Sequence, residues 1–337
     1  MRYHFRRVLT IALLSLACLA VAHAERERRL VPGPIAGQKA WTPPRTPDGR
    51  PDLQGIWDYR SATPLERPAR FAGREFMTPA EVVEYERRAA EREDGRPPDD
   101  ARTEQSVHPA WWLDYGKTVV KTARTSLIVD PPDGKIPLLT AEGQKRIAAR
   151  RALAKTRGQA DSYETRGLFE RCITRGVPEG MLPGPYNNNL QVLQTPDYVV
   201  LFTEMIHDAR IVPMDGRPHT GPTIRQWLGD SRGHWEGDTL VVDTINFTDK
   251  TSFRGSGANL HLVERFTRMD ADTLEYSFTV DDPSTWTRPW TVTYPMVKTE
   301  GPIYEYACHE GNYGLRNILS GARWEEKAAE EAARKKK

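Results

Sequence analysis

The sequence predicts a mainly β protein whose strands form an antiparallel meander that closes into a barrel, with a β-sandwich as the alternative architecture. Three observations point there. From Leu190 onward apolar and polar residues alternate with period two: Leu274, Tyr276, Phe278 and Val280 share one face, and Glu275, Ser277, Thr279 and Asp281 the other. Turn residues such as Asp215-Gly216, Glu236-Gly237-Asp238 and Asp270-Ala271-Asp272 punctuate the run, with no helical crossover between them. Strands are expected at 190–195, 198–206, 209–214, 233–236, 239–247, 261–269, 273–281, 290–298 and 303–309, and a meander of this length curls shut to remove its open edges.

The chain begins with Arg2, Arg6 and Arg7 ahead of an apolar run from Val8 to Ala22, and Ala22-His23-Ala24 then precedes a charged segment. That order is a secretory signal peptide over residues 1–24, cleaved near Ala24. The run falls short of the ~20 apolar residues that cross a bilayer, so export is expected and no transmembrane segment in the mature chain. Lipoprotein anchoring at Cys18 is a minor alternative, because Ser15 stands three residues before it and the apolar run continues past it. Loss of the signal leaves 45 basic against 46 acidic residues. With no arginine-rich stripe interleaved with aromatics, a nucleic-acid partner is not expected.

Residues 25–50 hold five prolines and read as an extended lead-in. A single β-barrel domain with helical cover is expected over 51–323. Its first strand is Asp52–Tyr59. Thr78-Pro79-Ala80-Glu81 then supplies an N-cap, a first-turn proline and a capping-box acid, so a helix runs to about Arg92. Ser126–Asp130 and Lys135–Leu138 flank Pro131-Pro132-Asp133-Gly134 as a hairpin-like pair. Thr140 caps a second helix to about Lys155, and 158–189 is loop. Apolar positions Val82, Val83 and Tyr85 are expected to cover the outside of the barrel. Residues 324–337 read as a charged helical or frayed tail.

Gly55-Ile56-Trp57 is similar to the strand that opens lipocalin-type barrels, where a tryptophan closes one end. The segments PDLQGIW, TSLIVDPPDGKIPLLT, RCITRGVP, GHWEGDTLVVDTINF and YEYACHEGNYG together resemble a widespread family of exported bacterial proteins, across nearly the whole mature chain. That resemblance carries no activity and no assigned catalytic residue.

Two cysteines remain after export, Cys172 and Cys308. In an oxidising compartment they are expected to pair, closing a loop of about 137 residues worth at most ~5 kcal/mol in the chain-entropy view. A nucleophilic Cys308 activated by His309 is disfavoured, because neighbours on a strand point to opposite faces. Tyr304 and Tyr306 are expected to point inward with Cys308.

Six histidines survive export: His108, His207, His219, His234, His261 and His309. None shows a compact metal spacing, and His261 and Glu264 would face opposite ways on a strand. No metal is expected from spacing, although a site assembled across strands stays open. Nucleotide loops, dinucleotide fingerprints and the serine-hydrolase elbow are absent, so no cofactor is expected. The shortlist for acid–base chemistry is His207, Asp208 and Arg210 at one strand end, with His309 and Glu310 at another. Trp290, Tyr306, Asn312 and Tyr313 are the expected ligand contacts.

The reading is an exported, disulfide-bonded β-barrel binding a small-molecule or carbohydrate ligand. Lyase or hydrolase turnover of a sugar or aromatic ligand by histidine acid–base chemistry is one possibility, and a non-catalytic binder or envelope scaffold is the alternative. Export predicts that the chain recovered from the periplasm or medium of an expressing bacterium begins at about Glu25 by intact mass. Retention of residues 1–24 in that fraction refutes the assignment.

Overall fold

The alternating segments become one antiparallel sheet of ten strands among the described residues. The structure is a computed structural model that describes residues 41–92, 113–158, 160–250, 253–309, 311 and 313–335. The expected leader, the lead-in as far as residue 40, Glu310 and Asn312 lie outside them. Strands β1 (Gly55–Asp58), β2 (Ile128–Asp130), β3 (Asn189–Gln194), β4 (Tyr198–Thr203), β5 (Ala209–Pro213), β6 (Asp230–Glu236), β7 (Thr239–Ile245), β8 (His261–Arg268), β9 (Thr273–Asp281) and β10 (Trp290–Thr299) pair in the order β5-β4-β3-β1-β10-β9-β8-β7-β6, and β2 lies beside β10. The described residues from Pro43 onward form one compact unit. No helix among the described residues is long and apolar enough to cross a membrane.

Strand β10 joins the two arms. One of its edges pairs along β9; the other takes β2 at Thr291 and Val292, then β1 from Val297 to Thr299. Pro295 is tolerated in this central position for a local reason. The Thr293 N–H donates to the Leu127 carbonyl, so odd-numbered amides face the β2/β1 edge. Pro295 falls in the gap between those two strands, where no ladder bond is lost.

The apolar faces of both arms form one core. Trp57, Trp290, Tyr276, Tyr294, Phe266 and Phe278 are completely or almost completely buried among aliphatic residues of β3, β4 and β7. Edge strands β5 and β6 pack side by side: a Cβ on Gly233 would meet Met214 Sδ at 2.4 Å and Val212 Cγ1 at 2.9 Å. No ladder hydrogen bonds join them, so the sheet is open and the expected closed barrel is corrected to a curled sheet with two free edges.

Across the interior, Arg210 of β5 meets Glu264 of β8 through two hydrogen bonds of 2.5 and 2.8 Å, and the Tyr276 hydroxyl donates to the same carboxylate at 2.7 Å. Both members of the ion pair are buried. Burial opposes the charge on Arg210, but the attraction of Glu264 holds its guanidinium above the usual range.

The helices form as their caps predict and pack elsewhere than expected. In α1 (Pro79–Glu91) Thr78 and Glu81 form the reciprocal capping box. Its Tyr85 is buried with Phe71 and Met77 in a separate small cluster, while Val83 is exposed, so α1 does not cover the sheet. In α2 (Ala141–Lys155) Thr140 accepts from the Gly143 N–H, and Arg146 reaches Thr285 in the β9–β10 connection.

The expected hairpin partner 135–138 is not a strand; β2 pairs with β10 instead, and Arg67 holds the intervening turn through the Pro132 carbonyl and Gly134. The expected strand 303–309 is irregular, because its tie is a side chain, the Glu204 carboxylate accepting from Tyr304 N–H, and no ladder partner flanks it. Tyr304 is exposed there and does not point inward. The tail belongs to α3 (Gly314–Lys335).

Glu264→Gln leaves Arg210 buried without a counter-charge and is expected to cost about 3–5 kcal/mol in urea unfolding. Arg210→Met with Glu264→Gln restores most of it, since glutamine still accepts from Tyr276. Equal losses in the single and double variants would contradict this account.

Candidate functional site

Loop 166–184 is held by several side-chain ties. Cys172 and Cys308 are joined by a disulfide with a Cα–Cα distance of 6.1 Å, as the cysteine count predicts. The His309 Nε2–H donates to the Glu170 carbonyl at 2.6 Å, and the ring lies so close to Gly314 that a Cβ there would come within 2.1 Å of Nδ1. Donor atoms of Cys172, Cys308 and His309 lie within 4.8 Å of one another, but the bridge leaves neither sulfur a thiolate to give a metal.

Asp208 fastens the same loop to the start of β5. Its carboxylate accepts from the Thr174 hydroxyl at 2.7 Å and the Arg175 N–H at 3.3 Å. Burial is the larger influence and raises the Asp208 carboxyl above the usual carboxylate range, against those two bonds. Arg210, two residues on, turns inward to Glu264. His207 is exposed next to the buried Ile206, and both have positive φ, 47° and 59°. No hydrogen bond or ion pair joins His207 to His309 among the described residues. Of the acid–base shortlist, then, Asp208 and Arg210 are structural ties, His309 is anchored on a carbonyl and His207 faces solvent.

The expected ligand contacts also separate. Trp290 is fully buried, stacked on Phe253 at 5.6 Å between ring centroids and edge-on to Trp286 at the same distance. Tyr306 is half-buried against Tyr186, and Tyr313 is exposed.

Beside Asp208 the loop leaves a groove of about 220 Å³ lined by Phe169, Arg175, Val177, Glu179, Lys250 and Phe253 among others. The Arg175 guanidinium lies over the Phe169 ring at 5.5 Å, and among the described residues no carboxylate pairs with it. Glu179 is matched by Arg254 at 3.4 Å. The groove therefore presents two cations, Arg175 and Lys250, between apolar walls. None of its residues follows a spacing rule, so only their convergence identifies them.

A second constellation lies on the sheet face turned away from the core. His219, in the loop before β6, contacts Asp230 through Nδ1 at 3.1 Å and Asp243 through Nε2 at 3.0 Å. The other oxygen of Asp243 meets His261 Nε2 at 2.9 Å. Asp230 also accepts from the Thr220 N–H at 2.8 Å and from Arg232 at 2.7 Å. Burial pushes both carboxyls up, but for Asp230 the Thr220 and His219 bonds, and for Asp243 the His261 and His219 contacts, hold them below the usual range. The Asp243 hydrogen bond raises His261. Glu264 points inward and His261 outward, as strand alternation requires. The four residues come from β6, β7, β8 and a loop, and the one available signal was that Asp243 and His261 both occupy outward-facing positions.

Comparison with protein-family models, with curated proteins and with solved structures finds no match for this chain.

Replacing both cysteines with serine is expected to lower unfolding free energy by up to ~5 kcal/mol and to expose residues 303–309 to proteolysis before the sheet unfolds. A variant cleaved no faster than the oxidised protein would show that the bridge does not hold this segment.

Proposed function

We propose that this chain is an exported protein that binds a small anionic, ring-bearing molecule in the groove between loop 166–179, Lys250 and Phe253. The single observation that carries the reading is the pair of cations, Arg175 and Lys250, facing one groove whose only acid, Glu179, is already matched by Arg254. An apolar ring fits against Phe253 and Val177 while a carboxylate meets Arg175, whose planar fork suits such a group. Aromatic carboxylates and acidic sugars share that chemistry.

Export rests on the N-terminal charge and apolar pattern. The approach of β5 to β6 supports a barrel-like scaffold of lipocalin type, with an interior occupied by aromatic side chains and the Arg210–Glu264 pair, so the ligand sits at the mouth. Binding takes precedence over lyase or hydrolase turnover at this groove, because the His309 Nε2 is engaged by a carbonyl and His207 is exposed.

Calorimetric titration with benzoate-type and uronate-type carboxylates tests the reading. Arg175→Ala and Lys250→Ala are each expected to weaken binding about 10- to 100-fold, the worth of one charge-assisted hydrogen bond, and the neutral amide of the best ligand to bind as weakly. Affinity unchanged in both variants, or no binding by any member, would sink it.

A further inference from the structure

The groove beside Asp208 does not end at Lys250. The same lysine also lines a second depression of about 520 Å³, together with Arg225, Trp227, Asp249 and Ala258 among others. The two adjoin at that side chain, so a molecule seated against Phe253 and reaching past Lys250 enters the second.

The second depression has a different chemistry. Trp227 is half-buried, which leaves part of its ring open to a ligand. Arg225 is held through Nη1, which donates to the Phe247 carbonyl at 3.0 Å and to the Ala258 carbonyl at 2.7 Å. Its Nε and Nη2 donate to no group among the described residues. The Asp249 carbonyl accepts from Arg150 at 2.8 Å, whereas the Asp249 carboxylate accepts from no group among the described residues. A fixed donor and a ready acceptor thus line one depression with an aromatic ring.

A sugar ring has the matching surface, with C–H groups on its faces and hydroxyls around its rim that both donate and accept. A benzoate-type ring carries no such rim. Asp249 also offsets the charge of Arg225, so the depression suits a neutral, hydroxyl-bearing ring better than a second acid.

We propose that the ligand is an acidic saccharide of at least two rings. Its carboxylate lies on Arg175, a neutral neighbouring sugar stacks on Trp227 between Arg225 and Asp249, and Lys250 bridges the two positions. This inference rests on the carboxylate site proposed above and narrows its two ligand classes to one.

The test titrates the disulfide-intact full chain by calorimetry with benzoate, with glucuronate, and with disaccharides of glucuronate and a neutral hexose joined in either order. At least one disaccharide is expected to bind about 10-fold or more tighter than glucuronate, the worth of one further aromatic contact. Trp227→Ala should remove that gain and leave glucuronate affinity within about twofold, as an independent site requires. Asp249→Asn should weaken the disaccharide about 5- to 10-fold. Benzoate or glucuronate bound through Arg175, with no gain for either disaccharide, overturns this inference and leaves the carboxylate site standing. Binding of no probe removes both. A gain that survives Trp227→Ala, or disaccharide binding unchanged in Arg175→Ala, overturns the bridging ligand. Glucuronate binding reports the folded groove in each variant, and the wild-type comparison decides even where a variant fails to fold.

Discussion

The buried pair Arg210–Glu264 fixes how the sheet is bent. Arg210 comes from β5, the last strand of one arm, and Glu264 from β8 in the other arm. A flat sheet would hold them several strands apart. Their contact requires the two arms to face each other across the core, and the cost of burying either charge alone makes that separation intolerant of error. The Tyr276 hydroxyl completes the carboxylate's bonding. On the open side, a glycine at 233 lets Met214 and Val212 lie against β6. Apolar burial supplies the driving force, whereas the ion pair, with directional bonds and no tolerance for slippage, determines where the curl stops.

Loop 166–184 depends on that bend because it closes the end of the curled sheet. Hydroxyls that begin in the core finish on its carbonyls: Tyr59 donates to Gly180 at 2.8 Å, and Tyr294 donates to Met181. Asp208 holds it from the start of β5 and Cys308 from the segment before α3. A loop tied at so many points keeps Arg175 over Phe169 and beside the wall made by Phe253, which itself leans on Trp290. The groove is thus preorganised by the fold, which would lower the ordering cost of the ligand proposed there.

The outer face follows a different logic. Polar residues on that side of β6, β7 and β8 need no core partner, yet Asp230, Asp243, His219 and His261 are engaged with one another. Core packing does not require this arrangement, since the inward residues of the same strands already fill the interior. The core and this polar cluster are therefore carried on opposite faces of three strands.

Local rules were legible in the sequence. Alternation located eight of the ten strands from β3 to β10, the Thr78 and Thr140 caps located two helices, and the cysteine count predicted the bridge, because each depends on residues close in the chain or on a simple parity. Alternation at 303–309 misled, since period two describes a face and not the presence of a neighbouring strand. The turn at 131–134 likewise announced a hairpin, while a strand more than 150 residues away captured β2. Tertiary structure alone decided that the sheet stays open, that Arg210 is matched by Glu264, that Arg175 and Lys250 share a groove, and that His219 and His261 flank Asp243. These are contacts between residues far apart in sequence, set by how the sheet bends, and no pattern of spacing records them.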